Sequence, residues 1–354
     1  MNISSKLKDE QIDPNKPPGG YEWWYFDALT VDKEWGIVII FYQGNPFSPR
    51  YIMEKEGKTP ENYPAISVSL YNKGKAKFYG FEEYTADQFE FESNPLSVLV
   101  SDNSFSRSQE GNRVLYTTNL DMDLASGHSL NGELIFEQSL TPHELIEHNS
   151  ETEKHFWNLL SPRSKVSGTL IFNKNTLGLE IDFDGTGYHD HNTGHEPMKD
   201  SFVDWYWGRI HFQHSTLIYY VMNTFDSRQY EAWLMDEENQ EILSEFRTIE
   251  LTHNQRSIFG LNTARKLIFE SDDTQITLQH SKVIDNGPFY QRYISDAIMK
   301  RSGGLESSQG FGEYIKPERI YDRKYWWMVK MRLRFMDLKP HWVQRLKRMY
   351  EWTW

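Results

Sequence analysis

The segment GTGYHDHNTG, residues 185–194, sets one carboxylate, Asp190, between two imidazoles, His189 and His191, on a stretch bounded by glycines. If residues 188–192 are extended, side chains alternate: Tyr188, Asp190 and Asn192 share one face, His189 and His191 the other. The first face then carries an acid flanked by hydrogen-bonding groups. An aspartate with the ordinary pKa of about 3.9 is ionised at neutral pH, so to give a proton it must be desolvated or hydrogen-bonded in its neutral form. A pocket walled by aromatic rings supplies that desolvation. The same walls attract a cationic intermediate, each well-placed ring contributing about 0.5–2 kcal/mol. An acid in such a cavity points to protonation of an alkene, or to cyclisation.

Two other readings use the same residues. In one, the segment is a turn in which Asp190 and Asn192 satisfy local backbone groups and the histidines are structural. In the other, His189, His191 and Glu196 hold a metal, since they fit the HxH-x4-E spacing of a cupin half-site. The partner half of that signature, a PxG turn followed by histidine, is missing downstream, and no metal or cofactor is expected. There is no GxSxG, Walker loop or dinucleotide glycine fingerprint. Asp272 and Asp273 do not begin a DDxxD diphosphate motif, because the fifth position is Ile276. Asp182 and Asp184 share one strand face and read as solvated. With no cysteine in the chain, a disulfide framework, a thiolate zinc site and a cysteine nucleophile are excluded.

The elements that must position these groups are strands. Of 354 residues only 38% are hydrophobic, yet 15% are aromatic (12 Trp, 20 Tyr, 21 Phe), so rings must supply much of the buried surface. Aromatic and β-branched residues favour strands. After the turn signal PPGG, residues 21–42 form two such runs around a short polar turn, a hairpin. A related pattern, DWYWGRIHFQHSTLIYYVM at residues 204–222, recurs about 180 residues on. Between and after these landmarks, short strand candidates such as AISVSLYN, RVLYTTNLDMDL, VSGTLIFNK and RKLIFES follow one another with Gly, Asn and Asp turns. The expected fold is all-β, two antiparallel barrel domains with a C-terminal amphipathic helical tail. Residues 1–20 are expected to be a flexible lead-in, 21–195 and 196–321 the two domains, and 322–354 the tail.

The net charge of −13 excludes nucleic acid as a partner. Charge is uneven: from Asp322 onward nine Lys and Arg face three Asp and Glu, about +6, leaving about −19 on the rest. Trp342, Val343, Leu346, Met349 and Tyr350 fall on a helical stripe opposite Arg345, Lys347 and Arg348, with Pro340 placed as a first helical residue. Residues 325–336 fit both a strand and a helix. Such a tail is either an interfacial membrane anchor or a helix packed on a barrel with its charges in water. No signal-peptide core or long apolar run is present, so a cytoplasmic protein, peripheral at most at a membrane surface, is expected.

Several segments together resemble one family. HFWNLLSPRSKVSGTL (155–170), GTGYHDHNTGHEPM (185–198) and WYWGRI (205–210) are similar to the carotenoid 1,2-hydratases, also called hydroxyneurosporene synthases; EWWYFDA (22–28) and GFGEYIKPERI (310–320) extend the likeness to their wider lipocalin-like superfamily. The resemblance implies two lipocalin-like barrels and a hydro-lyase that adds water, without a cofactor, across a terminal double bond of an isoprenoid or carotenoid-like polyene. It implies Asp190 as the acid that protonates the alkene to give a tertiary carbocation, assisted by Tyr188 and by an HxW pair, here His155 and Trp157. Trp24, His191, Asn192, Trp205 and Trp207 are then expected against the apolar substrate. The family often has Trp after the asparagine, where this chain has Thr193. Isoprenoid cyclases and Diels–Alderases of similar architecture, and non-catalytic lipid or pigment carriers, are the alternatives.

Overall fold

The computed structural model describes residues 1–53, 59–139, 147–148, 154–174, 178–238, 241–301 and 304–354. The chain is all-β and divides into two compact units: Met1–Pro197 together with Arg323–Trp354, and Met198–Asp322. Strands of the first unit are β1 (Asn2–Ser4), β2 (Tyr21–Thr30), β3 (Trp35–Gln43), β4 (Ala65–Asn72), β5 (Lys75–Glu83), β6 (Phe89–Ser93), β7 (Leu96–Val100), β8 (Asn103–Glu110), β9 (Arg113–Asp123), β10 (His128–Ser139), β11 (His155–Lys174) and β12 (Gly178–Gly194). The second unit holds β13 (Asp204–His211), β14 (Ser215–Asn223), β15 (Arg228–Asp236), β16 (Ile242–Glu245), β17 (Ile249–Arg256), β18 (Asn262–Glu270), β19 (Thr274–Asn286), β20 (Tyr290–Arg301) and β21 (Gly304–Ile315). A two-residue strand, β22 (Arg334–Phe335), returns to the first unit.

Period-two patterning makes these strands. In β9, Val114, Tyr116, Thr118, Leu120 and Met122 are buried while their neighbours face outward. The first sheet runs β22-β5-β4-β3-β2-β12-β11-β10-β9-β8-β7-β6, with β1 beside β11. Six strand steps from β3 to β8 would span about 29 Å if flat. The rings of Phe41 on β3 and Phe105 on β8 nevertheless lie 5.2 Å apart, so the sheet curls round on its own apolar face. The second sheet, β16-β15-β14-β13-β21-β20-β19-β18-β17, does the same: Tyr219 on β14 meets Phe269 on β18 at 5.2 Å.

Both units share one wiring rule. The first strand of the opening Trp-rich hairpin pairs with the second and also with the last long strand of its unit, β2 with β3 and β12, β13 with β14 and β21. In the first unit this places β12 between β2 and β11. Glu180, Asp182 and Asp184 face water along the first half of β12, but from Gly187 to Gly194 every residue is buried. Burial on both faces is what turns this strand into a site.

The ends of the chain differ from their sequence expectation. Within residues 1–20, β1 pairs in parallel with β11, and Glu10 and Lys16 are buried. The reason is charge pairing inside the first unit, described below. The helices are short: α1 (Pro49–Met53) and α2 (Met198–Ser201), then α3 (Trp326–Arg332), α4 (Trp342–Arg345) and α5 (Lys347–Thr353) in the tail. The expected continuous helix through 342–350 breaks at Leu346, whose backbone is extended. Pro340 lies before the helix: His341 is the N-cap, its ring accepting from the Val343 amide while Gln344 reaches back to the His341 amide. Residues 326–335 resolve as helix followed by strand.

In the interior of the second unit the His280 ring stacks on Tyr293 at 4.3 Å and its Nδ1 is bonded to Ser295 at 2.8 Å. Burial, with Arg265 nearby, lowers its pKa from 6.5 to about 3. The folded state therefore keeps His280 neutral where the unfolded chain binds a proton, so stability is complete above about pH 6.5 and is lost as pH falls towards 3. Between pH 6.5 and pH 5 this residue should remove about 2 kcal/mol of unfolding free energy. Urea denaturation across that range should show His280→Phe with a shallower pH slope than the parent; parallel slopes would contradict the assignment.

Candidate active site

Register decides which side chains meet. Across β12, Asp190 lies opposite Tyr25 of β2 and Leu159 of β11, and Asn192 opposite Trp23 and Trp157. Gly194 lies opposite Tyr21 and His155. One face of three adjacent strands thus carries Tyr188, Asp190 and Asn192 with Trp157, His155 and Tyr21.

The Asp190 carboxyl is buried, 3% exposed. Its Oδ2 accepts from the Tyr188 hydroxyl at 2.7 Å and from the Trp157 indole N–H at 2.9 Å. Its Oδ1 accepts from the Asn192 amide at 2.8 Å. Behind Asn192 stands His155, with Nε2 at 3.2 Å from Asn192 Oδ1 and Nδ1 at 3.0 Å from the Tyr21 hydroxyl. Asn192 Oδ1 can only accept, so Nε2 of His155 carries a hydrogen. Burial lowers the His155 pKa from 6.5 to about 3, so the ring is neutral, its Nδ1 is an acceptor, and Tyr21 donates to it. The direction of the chain follows: Tyr21 donates to His155, His155 to Asn192, Asn192 to Asp190.

Gly194 makes the outer link possible. A Cβ there would lie 2.1 Å from the Tyr21 ring, which crosses over β12 at this glycine to reach His155 on β11. The Tyr21 ring also stacks on Trp23 at 5.1 Å.

The opposite face of β12 is equally built. His189 Nε2 meets Glu10 at 2.8 Å while its Nδ1–H donates to the Tyr25 carbonyl at 3.0 Å. Glu10 also holds Arg107 at 2.7 Å and the Tyr116 hydroxyl at 2.8 Å. Burial alone would raise the Glu10 pKa; the charges of His189 and Arg107 outweigh it and hold the carboxyl below the usual range. His191 Nε2 meets Glu22 at 2.7 Å, and Glu22 meets Lys16 at 2.6 Å. Phe26 stacks on His189 at 3.9 Å and Trp24 on His191 at 4.9 Å.

Of the residues expected in catalysis, Asp190, Tyr188, Trp157 and His155 come together in one network. Asn192, expected against substrate, bridges His155 and Asp190. Trp24 and His191 point to the other face of the sheet, and Trp205 and Trp207 are buried on β13 of the second unit. Thr193 faces the same side as His191, its hydroxyl 3.4 Å from Glu22, so the departure from the family pattern leaves the Asp190 side untouched. Tyr21 was not legible as a site residue, although its spacing from Trp23 on a strand does put the two on one face. Asp27, fully buried and opposite Tyr188, shares that face as well. Among the described residues no group of His, Asp or Glu is arranged to hold a metal ion. His189 and His191 are engaged by separate carboxylates, Glu10 and Glu22.

Comparison with known proteins bears on this arrangement. The family model described as carotenoid hydratase CrtC matches residues 38–336. A hydroxyneurosporene dehydrogenase of Chlorobaculum tepidum is 28% identical over 348 residues, 91% of this chain and 89% of that protein. An acyclic carotenoid 1,2-hydratase of Thiocapsa roseopersicina is 27% identical over 61% of this chain and 51% of its own length. Among solved structures, CghA is similar with TM-score 0.62 at 11% identity, covering 86% of this chain and 93% of that one. An AttH-type protein of Nitrosomonas europaea is similar with TM-score 0.58 at 14% identity, covering 88% and 96%. At these identities the structural likeness establishes the lipocalin-like fold and nothing finer.

The Tyr21–His155 link is testable by stability. Tyr21→Phe leaves the buried Nδ1 without this donor and should cost about 1–3 kcal/mol, read as a lowered urea midpoint. An unchanged midpoint would remove Tyr21 from the chain of donors.

Proposed function

We propose that this chain, which belongs to the carotenoid hydratase family and is a hydro-lyase, adds water across a terminal double bond of an acyclic isoprenoid-like polyene, with Asp190 as the proton donor. The observation that carries the reading is the convergence of three donors, Tyr188, Trp157 and Asn192, on one buried carboxyl. Tyr188 and Trp157 meet Oδ2 and Asn192 meets Oδ1, so both oxygens of the proposed acid are held in place. The Asp190 proton passes to the less substituted alkene carbon and leaves a tertiary carbocation. As it leaves, negative charge grows on Asp190, and donors already aimed at its oxygens gain strength without having to reorient. The Trp157 ring, whose N–H reaches Asp190 at 2.9 Å, is assigned as an aromatic partner for the cation. Water then bonds to the cationic carbon and its excess proton returns to Asp190. Hydrogen and oxygen balance, and every step is assigned to a protein side chain or to water.

The neutral His155 and Tyr21 hold Asn192 so that its amide, and not its carbonyl, faces Asp190. These residues therefore orient the acid and carry no proton of the reaction. A polyene of this class resides in lipid, so the enzyme would meet its substrate at a membrane surface.

The test combines label and variant. With an acyclic carotenoid in D2O containing H2-18O, each product molecule should carry one new deuterium and one 18O, and Asp190→Asn should lose turnover by at least about 10³-fold while keeping its circular dichroism. Deuterium without 18O would indicate a cyclase, and full activity of Asp190→Asn would remove the proposed acid.

A further inference from the structure

We propose that the tail is a docking surface for an anionic lipid bilayer. Its two sides are sharply different. One side binds the first unit: Trp326, Val329, Leu333, Val343 and Tyr350 are buried. β22 lies parallel to β5, and the Arg332 guanidinium covers Tyr79 at 4.1 Å. Glu351 joins His128 at 2.9 Å and Lys174 at 2.7 Å. The tail is thereby fixed in place as a built part of the first unit.

Other residues of the tail are exposed, and many of them are apolar. Trp327, Trp342, Leu346, Met349 and Trp352 stand between 39% and 75% exposed. They include all the exposed tryptophans among the described residues, although 12 Trp are spread along the chain. Exposed Lys330, Arg345 and Arg348 are interleaved with them, and none is ion-paired among the described residues. Isolated exposed apolar residues are ordinary; exposed tryptophans that, among the described residues, all fall in one basic segment of an otherwise acidic chain are not.

The mixture of chemistries selects the occupant. Indole rings settle at the headgroup level of a bilayer, and Lys and Arg lay their aliphatic stems on apolar surface while their charges meet lipid phosphates. A bilayer accepts that interleaving in any register. A protein partner would need a carboxylate set between apolar sockets at each turn, and a second copy of this chain would bring its own basic tail. With about +6 on the tail against about −19 on the remainder of the chain, the tail is the segment an anionic surface attracts.

This inference is independent of the hydratase reading, since vesicle binding and turnover are separate measurements. Deleting the tail is a poor test because its inner side is core. Full-length protein should instead be sedimented with phosphatidylcholine vesicles with and without phosphatidylglycerol. The parent should bind the anionic vesicles, with blue-shifted Trp emission and salt-sensitive affinity, and should bind pure phosphatidylcholine weakly. Lys330→Ser/Arg345→Ser/Arg348→Ser should weaken anionic binding about a hundredfold, about fivefold for each charge. Trp342→Ser/Trp352→Ser should abolish most of the blue shift. Because all five positions are exposed, both variants should keep the parent thermal midpoint and its turnover of detergent-dispersed substrate. Equal vesicle binding by the charge variant, or no binding by the parent, would overturn the proposal. So would a tail-dependent dimer that does not bind vesicles, which would assign the face to a second copy.

Discussion

A carboxyl group removed from water and surrounded by neutral donors is the constraint on which the rest of this molecule depends. Asp190 is 3% exposed and accepts from a phenol, an indole and an amide. Donors of this kind favour the carboxylate, and burial favours the acid. In the proposed reaction this group gives up a proton and takes it back, and the donors are in place to meet the charge that forms. The neutral His155, at the far side of Asn192, supplies orientation without charge.

Holding that group still is a task for the whole first unit. β12 is pinned from its other face by two separate ion clusters, Glu10 with His189 and Arg107, and Glu22 with His191 and Lys16. Buried ion pairs of this kind add little net stability but are costly to break singly, so they fix position more than they strengthen the fold. They also explain why the polar opening of the chain is ordered: Glu10 and Lys16 each complete a buried cluster, and β1 aligns with β11, the strand that bears His155 and Trp157.

Much of this was legible from residue types. Alternation through YHDHN placed Tyr188, Asp190 and Asn192 on one face, and the two Trp-rich hairpins marked the opening strands of two similarly wired sheets. The resemblance supplied His155 and Trp157, which are far from Asp190 in sequence and become neighbours only through the β11–β12 register. Tyr21 escaped because its role depends on Gly194 lacking a side chain, a contact across strands that no local pattern encodes. Alternation had already put His191 on the face opposite Asp190, and Trp24, its partner on β2, follows it there. The kink at Leu346 was hidden because the helical stripe through 342–350 continues across it, while the backbone there is extended.

The central claim is that the donors on Asp190 act on the charge that develops there as its proton departs. The most direct measurement is a double-mutant cycle on kcat with Tyr188→Phe, Trp157→Phe and the pair. Each single change should lower kcat by about 10²-fold with KM little altered, and the pair should fall further still. Variants that bind substrate less tightly but turn it over at the parent rate would contradict the account, because the two donors would then be part of the wall and not of the acid.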